Sequence, residues 1–246
     1  MILLSLLTLI LAASSANLSP LLERYVVEER WVDYASWRDS SEDRAALQQW
    51  IDQTVATDIF ALERDVQIAT WINLYNALTL DLILDHEPVA SIKDIGGMIT
   101  SAWEQKLVVV AGRELSLDDI EHKILRPDFQ DPRIHFALNC ASVSCPPLTS
   151  TPLSAGNLDA RLDQLCLAAL NDPFWFDASG CTSAYGSGSL RLSQLFDWFK
   201  DDFGGEQGVR AFIKHYRPEL RFPLENTGCS LDYMDYDWSL NAPPES

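Results

Sequence analysis

The chain is organised around residues 133–148, RIHFALNCASVSCPPL. Apolar and polar side chains alternate from Arg133 to Asn139, and this period of two predicts a strand with two unlike faces. Cys140 follows at the predicted strand end, and two successive prolines then stop further regular pairing. A thiol, the imidazole of His135 and an amide therefore lie within a few residues of one another, which indicates a candidate thiol site.

A cysteine nucleophile needs a base that makes the thiolate and a group that orients the base. His135 is the natural base and Cys140 the natural nucleophile, but on a regular strand the two side chains point to opposite faces. The strand must therefore twist or end at Asn139 for the pair to meet. Cys145, which can loop back after the turn, is a second candidate nucleophile. A disulfide between Cys140 and Cys145 is the structural alternative.

Two predicted helices supply the remaining candidates. Residues 65–84 carry apolar side chains at three- and four-residue spacing, which predicts a long, largely buried helix. Its Asn73 and Asn76 are buried amides that need partners, so we expect them to fix a neighbouring loop rather than to contact a substrate. A capping box at residues 116–119 opens a helix that is expected to run from Asp118 to Leu125 and stop before Pro127. This second helix carries adjacent acidic and imidazole side chains, Glu121 and His122. Candidates to orient the imidazole of His135 are Glu121, Asn139 and Asn73.

The bulk charge excludes some classes of partner. The 246 residues include 36 acidic and 18 basic side chains, a formal net charge of -18. This balance argues against binding nucleic acid, which needs basic stripes, and against anionic membrane surfaces. We interpret the acidic residues as solubilising surface charge.

The amino terminus resembles an export signal. Residues 2–13 are almost wholly apolar, but the run is too short to span a bilayer, and Ser14-Ser15-Ala16 fits a signal-peptidase site. We expect cleavage near Ala16 and a periplasmic or secreted product, with an uncleaved anchor as the alternative. No later run is apolar enough for an integral membrane span. The five cysteines can form disulfides in an oxidising compartment, and their odd number leaves at least one thiol unless it pairs between chains.

Several common site motifs are missing from the sequence. It contains no P-loop, no G-x-G-x-x-G that opens a helix and no G-x-S-x-G elbow. His122, His135, Cys140 and Cys145 lack the C-x-x-C or H-x-x-x-H spacing of a metal site. We therefore expect no cofactor and no metal. The remaining pattern predicts one α+β domain, with N-terminal helices packed on a mixed or antiparallel sheet and a disordered tail at residues 242–246.

Four blocks together resemble the DUF547 family. They are Trp71-Ile72-Asn73-Leu74-Tyr75-Asn76-Ala77, residues 115–126 (LSLDDIEHKILR), residues 135–147 with HFALNC and SCPP, and residues 236–241 (YDWSLN). The resemblance implies a DUF547-like domain over residues 65–241, preceded by a helical lead-in at 17–64. The family is named for its unknown function, so it implies candidate positions rather than an activity. Plant members of the family carry Ser or Asp at the position of Cys145, which favours Cys140 as the nucleophile, and the family's Glu-His block adds Glu121 and His122.

The resulting expectation is a cysteine-dependent hydrolase or acyl transferase that acts on a peptide or amide bond. Cys140 is the expected nucleophile, His135 the base and Glu121 the orienting group, with Cys145, His122, Asn139 and Asn73 as alternates. An order of Glu, His and Cys would resemble a circularly permuted papain-like hydrolase, by analogy alone. The alternative is a non-catalytic binding or scaffold module of the envelope. A thiol-redox role is disfavoured because no C-x-x-C is present. The sequence does not identify the substrate or the oligomeric state.

Overall fold

A computed structural model describes residues 18–97, 100–181, 188–225 and 228–244, without the side chains of residues 222 and 223. The predicted signal peptide, residues 1–16, lies outside the described residues. Most of a Gly/Ser-rich stretch at residues 183–189 and the last two residues of the predicted tail also lie outside them.

Helices and short strands alternate along the chain. The α-helices are α1 (residues 18–25), α2 (Tyr34–Asp39), α3 (Ser41–Val55), α4 (Arg64–His86), α5 (Arg126–Phe129), α6 (Leu158–Asn171), α7 (Leu195–Trp198), α8 (Gly205–Tyr216) and α9 (Arg221–Glu225). A π-helix (Asp119–Leu125) runs directly into α5, and the 3-10 helices are Ile59–Ala61, Ile92–Asp94, Ala102–Glu104, Pro132–Phe136, Lys200–Phe203 and Pro218–Leu220. The strands are β1 (Val26–Val27), β2 (Trp31–Val32), β3 (Val108–Val110), β4 (Arg113–Leu115), β5 (Phe176–Asp177), β6 (Gly188–Leu192) and β7 (Cys229–Tyr233).

The strands of the described residues form three small sheets. β1 pairs with β2 and β3 with β4, both antiparallel. β5, β6 and β7 form a mixed sheet, in which β6 lies antiparallel to β5 and parallel to β7. The predicted α+β class, with small mixed and antiparallel sheets, is confirmed.

The chain divides into two compact units. The first holds the chain up to Phe129, the segment Ala137–Leu158 and the end of the chain from Trp238. The second holds Gln130–Phe136 and Asp159–Asp237. The predicted lead-in at residues 17–64 thus falls in the first unit, together with the long helix that follows it.

α4 is the central helix of the first unit. It is buried on most of its faces, and Trp71, Leu74 and Ala77 are fully enclosed. Burying one Leu or Ile side chain stabilises a fold by about 1.5–3 kcal/mol, so this helix is a major source of the unit's stability. The prediction of a long, largely buried helix over residues 65–84 is confirmed.

The second unit has its own apolar core around the mixed sheet. Trp175, Leu190, Leu192 and Phe196 are nearly or fully buried in it. A disulfide between Cys181 and Cys229 joins the start of β7 to the chain segment that follows β5. The sequence Leu190-Arg191-Leu192 predicts a short strand, and in the structure both leucines alternate with more exposed neighbours on β6.

The predicted strand from Arg133 to Asn139 is wrong. Residues Pro132–Phe136 form a 3-10 helix, and the chain continues from it without regular structure into the cysteine turn. Asp131 accepts a hydrogen bond from the backbone N–H of Arg133, and proline fits the first turn of a helix because it has no N–H to leave unsatisfied. His135 is 3% exposed and does not lie on a polar face. A short alternating run cannot by itself separate a strand from a buried helical turn.

Two predicted ends of secondary-structure elements also differ from those in the structure. The helix expected to stop before Pro127 continues through it, and the π-helix runs directly into α5, which contains this proline. Alternating side chains from Cys229 to Asn241 predict one strand, but the structure forms a strand only from Cys229 to Tyr233. The last part of the predicted strand makes an isolated bridge instead, between Leu240 and Ser142.

Candidate functional site: the turn between two cysteines

The candidate nucleophile lies in a short turn that a disulfide closes. Cys140 and Cys145 are bonded to each other, with their Cα atoms 5.9 Å apart. Inside the turn, the backbone N–H of Cys140 donates to the Sγ of Cys145 at 2.7 Å, and the backbone N–H of Cys145 donates to the carbonyl of Ser142. The disulfide alternative of the sequence analysis is therefore the state that this structure contains.

The five cysteines differ in exposure. Cys140 is partly exposed, whereas Cys145 is 4% exposed. Cys181, Cys229 and the free Cys166 are 3%, 0% and 0% exposed. Burial raises the pKa of the Cys166 thiol to about 12, so this thiol is inert at neutral pH. Cys140 is therefore the most exposed of the five cysteine residues.

Two asparagines of α4 hold the two ends of the segment that contains the turn. Asn76 donates to the carbonyl of Ala137 at 2.9 Å and accepts from the backbone N–H of Asn139 at 2.8 Å. Asn73 makes the same pair of bonds with the backbone of Leu153, at 2.7 and 3.0 Å. Each amide thus satisfies one donor and one acceptor of an irregular backbone segment. The expectation that these asparagines fix a neighbouring loop is confirmed.

Asn139 fixes the turn from within. Its side chain donates to the carbonyl of Pro146 at 2.7 Å and accepts from the backbone N–H of Ala141 at 3.0 Å. Ala141 has a φ of 58°, a left-handed conformation that is unfavourable for a residue with a Cβ. Such strain persists only where the surroundings hold the backbone, and it is concentrated at functional sites. The two hydrogen bonds of Asn139 thus help to hold the backbone of the turn in this unfavourable conformation.

The last residues of the chain support the same turn. Val143 donates from its backbone N–H to the carbonyl of Ser239, and Asn241 donates likewise to the carbonyl of Ala141. The side chain of Asn241 accepts from the hydroxyl of Tyr34 at 2.8 Å. These contacts give the YDWSLN block a structural role at its C-terminal end.

Glu121 and His122 lie on the π-helix of the first unit. Glu121 is 9% exposed, while the side chain of His122 is 36% exposed and lies 3.5 Å from the carboxylate of Asp118. Arg126 donates to the Nδ1 of His122 at 2.7 Å. An arginine has no acceptor, so His122 uses this nitrogen as an acceptor here.

The predicted capping box at the start of this helix is confirmed. Asp119 and Ser116 each accept from the other's backbone N–H. Burial alone would raise the pKa of Asp119, but ion pairs with Lys106 and Lys123 and hydrogen bonds from Ser116 hold that pKa well below its usual range. The start of the π-helix is therefore stable wherever Asp119 is ionised.

His135 belongs to the second unit and has a partner that the sequence analysis missed. Its Nε2 lies 2.7 Å from the Oδ2 of Asp202, and its ring stacks on Phe199 at a centroid distance of 3.9 Å. A carboxylate at this distance fixes the orientation of an imidazole. His135 and Asp202 are 67 positions apart, and no sequence pattern predicts that they meet. The adjacent acidic residues Asp201 and Asp202 were the only sign of a partner for the imidazole.

The structure thus sorts the predicted site residues into three places. Cys140, Cys145 and Asn139 form the turn itself, with Asn73 bonded to the same segment of chain. Glu121 and His122 lie on the π-helix, and His135 lies in the second unit. Among the described residues there is no cluster of three or more His, Cys, Asp or Glu side chains that could hold a metal ion. Within the same ranges, none of the helices has the length and apolar character needed to cross a membrane.

The fold and the site define a disulfide-containing α+β protein with an asparagine-braced cysteine turn. A model of the family described as "Protein of unknown function, DUF547" matches residues 59–168. The resemblance to this family is therefore confirmed over a segment that includes α4, the π-helix and the cysteine turn. The block at residues 236–241 lies beyond the match. Comparisons with curated proteins and with solved structures found no match.

Proposed function

We propose that this protein is an exported, thiol-dependent enzyme that transfers or hydrolyses an acyl group through Cys140. The substrate class is a peptide or amide. The observation that carries the proposal is the exposure of Cys140, because the other four cysteines are buried and a nucleophile has to reach its substrate. Reduction of the bond to Cys145 comes before catalysis, since the attacking species is a thiolate.

The rigidity of the turn also supports the proposal. Asn76 and Asn139 fix the backbone on either side of Cys140, and the left-handed Ala141 directly follows it. Catalysis needs a nucleophile held in one geometry, because misplacement by about 1 Å costs on the order of a hundredfold in rate. A strained, braced backbone beside the nucleophile meets that need.

The proposed reaction has two steps. The thiolate of Cys140 attacks the carbonyl carbon, and the departing amine takes up a proton, which leaves a thioester on the protein. Water then cleaves the thioester in a hydrolase, whereas a second amine takes the acyl group in a transferase. Within the second unit, the contact of His135 with Asp202 supplies the orientation that a general base needs. The role of His135 as the base stays a prediction. The role predicted for Glu121 stays a prediction.

A non-catalytic binding or scaffold module of the envelope is the second candidate. The disulfide of Cys140 and the backbone bonds of Asn73, Asn76 and Asn139 favour it, because each of these groups already has a structural use. On this account the turn is a rigid surface feature, and its thiols have no reaction to perform.

A general acyl donor separates the two candidates. Reduced protein is mixed with p-nitrophenyl acetate, and we expect release of more than one equivalent of p-nitrophenol per protein, with a thioester intermediate on Cys140 seen by peptide mapping. Cys140→Ala should abolish both, whereas Cys166→Ala, the matched control, should leave both unchanged. Equal release by wild type and Cys140→Ala would favour the scaffold.

Export is tested separately by N-terminal sequencing of the exported product. A start directly after Ala16 agrees with a cleaved signal. A start at Met1 in the membrane fraction would identify the leader as an anchor.

A further inference from the structure

We propose that Cys140 and Cys145 form a thiol–disulfide exchange site that a dithiol reductant opens by attack on the sulfur of Cys140. This inference deepens the proposed function, because it names the reaction that releases the Cys140 thiol, and it rests on that function for its biological purpose. The exchange itself can be measured without any acyl substrate.

The direction of attack follows from the exposure of the two cysteine residues. A thiolate must approach one sulfur along the line of the S–S bond, and rates depend on access to it. Cys140 is partly exposed, whereas Cys145 is 4% exposed. The incoming thiolate therefore bonds to Cys140, and Cys145 is the leaving group.

The turn contains a donor for the charge that develops on the leaving sulfur. The backbone N–H of Cys140 donates to the Sγ of Cys145 at 2.7 Å. A hydrogen-bond donor stabilises negative charge on an acceptor that is shielded from water. The hydroxyl of Ser142 lies 3.3 Å from the Sγ of Cys140, so it can donate to the second thiolate once that thiolate forms.

The bracing of the turn determines which class of reductant succeeds. After the first attack, Asn76 and Asn139 still hold the backbone, so the thiolate of Cys145 stays next to the mixed disulfide on Cys140. Its effective concentration is high, and it expels a reductant that carries a single thiol. A dithiol escapes this reversal, because its second thiol completes the reaction within the same molecule.

The reaction balances as a two-electron exchange. The first thiolate of the dithiol bonds to Cys140, the bond between Cys140 and Cys145 breaks, and its electron pair goes to Cys145, which takes up a proton. The second thiolate of the dithiol then attacks the dithiol's own sulfur that is bonded to Cys140, and Cys140 leaves as a thiolate. The dithiol is oxidised to its disulfide, and the protein gains two thiols.

The chain contains a matched control for this inference. Cys181 and Cys229 also form a disulfide, but they are 3% and 0% exposed. Exchange at this second disulfide requires the second unit to open. The two disulfides can therefore be compared in one molecule and in one sample.

The first experiment compares reductants on the native full chain. Native protein is treated with dithiothreitol or with glutathione, at equal concentrations of thiol groups. Samples are quenched with iodoacetamide, and the labelled cysteines are mapped by mass spectrometry. We expect dithiothreitol to open Cys140–Cys145 at least tenfold faster than glutathione, and at least tenfold faster than it opens Cys181–Cys229. Equal rates for the two disulfides, or for the two reductants, would overturn the proposal.

The second experiment tests which sulfur is attacked. The Cys145→Ser variant keeps only the Cys140 thiol of this pair, so a mixed disulfide formed there cannot be cleaved by Cys145. The Cys140→Ser variant keeps only the Cys145 thiol and is the matched reverse. Oxidised glutathione should add to Cys140 at least tenfold faster than to Cys145. Faster addition to Cys145 would overturn the direction of attack. If either variant fails to fold, the reductant comparison on wild type still decides the proposal. Exchange without acyl transfer would reject the proposed enzyme and keep the exchange site.

Discussion

The two disulfides of this protein differ in the length of chain that they close and in their access to solvent. Cys140–Cys145 has a sequence separation of 5, lies in the first unit and has one partly exposed partner. Cys181–Cys229 has a separation of 48, lies in the second unit and has two buried partners. A cross-link stabilises a fold mainly by restricting the unfolded chain, so a longer loop has the larger effect.

This difference suggests a division of roles. On the chain-entropy account, the long loop stabilises by about 4 kcal/mol and the short loop by about 2 kcal/mol. The short disulfide adds less stability, and its turn is already braced by Asn76 and Asn139. We interpret Cys181–Cys229 as a structural bond and Cys140–Cys145 as a chemically active one.

The largest predicted effect is the loss of the long disulfide. Replacing both Cys181 and Cys229 by Ala should lower the free energy of unfolding by about 4 kcal/mol, whereas replacing both Cys140 and Cys145 should lower it by about 2 kcal/mol. Urea unfolding of both double variants and of wild type measures the two losses. Equal losses, or a greater loss from the short disulfide, would contradict the division of roles.

An intermediate effect is predicted for the asparagine that braces the short disulfide. Asn76→Ala removes two hydrogen bonds and leaves the backbone groups of Ala137 and Asn139 without them, which should cost about 1–3 kcal/mol. It should also speed the opening of Cys140–Cys145 by dithiothreitol. Asn171→Ala, which removes one exposed bond to the carbonyl of Leu167, is the matched control.

Urea unfolding and the rate of disulfide opening check this prediction. The control should change stability by less than about 0.5 kcal/mol, as is usual for exposed positions. An unchanged rate in Asn76→Ala would show that the turn is held without this amide.

The smallest predicted effect is a pH dependence of the helix that braces the turn. Burial, with repulsion from Asp85, raises the pKa of Asp81 on α4 from its ordinary value of 3.8 to about 6. Between about pH 4 and pH 6 the folded state therefore binds more protons than the unfolded state, and stability falls as the pH rises. Asp81→Asn should remove this decline and raise the free energy of unfolding at pH 7 by about 1 kcal/mol, after solvent screening.

Denaturation of Asp81→Asn at a series of pH values tests this prediction. Asp65→Asn on the same helix is the control, because its side chain is 58% exposed and pairs with Arg64. Hydrogen exchange should place the pH effect in the first unit and leave the amides around Cys181–Cys229 unchanged. A pH profile that is the same in Asp81→Asn and wild type would reject the assignment.

Local patterns in the sequence predicted the elements that local physics decides. The three- and four-residue spacing of α4 and the Ser116–Asp119 capping box both depend on neighbours within a turn of helix, and both were predicted correctly. The strand at residues 133–139 was not, because a buried 3-10 turn places Ile134, His135 and Phe136 inside together. Alternation of side chains predicts a strand only when one face stays exposed.

The candidate site was predicted only in part, because local patterns do not reveal contacts between residues that are distant in sequence. The loop-fixing role of Asn73 and Asn76 could be inferred, since buried amides require partners. The catalytic role of Cys140 stays a prediction. The pairing of His135 with Asp202 could not be inferred, because it joins residues that are distant in sequence. The left-handed Ala141 was also missed, since sequence patterns flag glycine at such positions rather than alanine.

The central claim is that Cys140 is the accessible and reactive cysteine of this protein. Its most direct test is alkylation with iodoacetamide across a pH series after mild reduction with dithiothreitol, followed by peptide mapping. We predict that Cys140 is labelled faster than a free peptide thiol at pH 6, where an ordinary thiol with a pKa of about 8.5 is almost fully protonated. Cys166, Cys181 and Cys229 should stay unlabelled in the wild type, because all three are buried. Slow labelling of Cys140 at every pH, or faster labelling of Cys145, would contradict the claim.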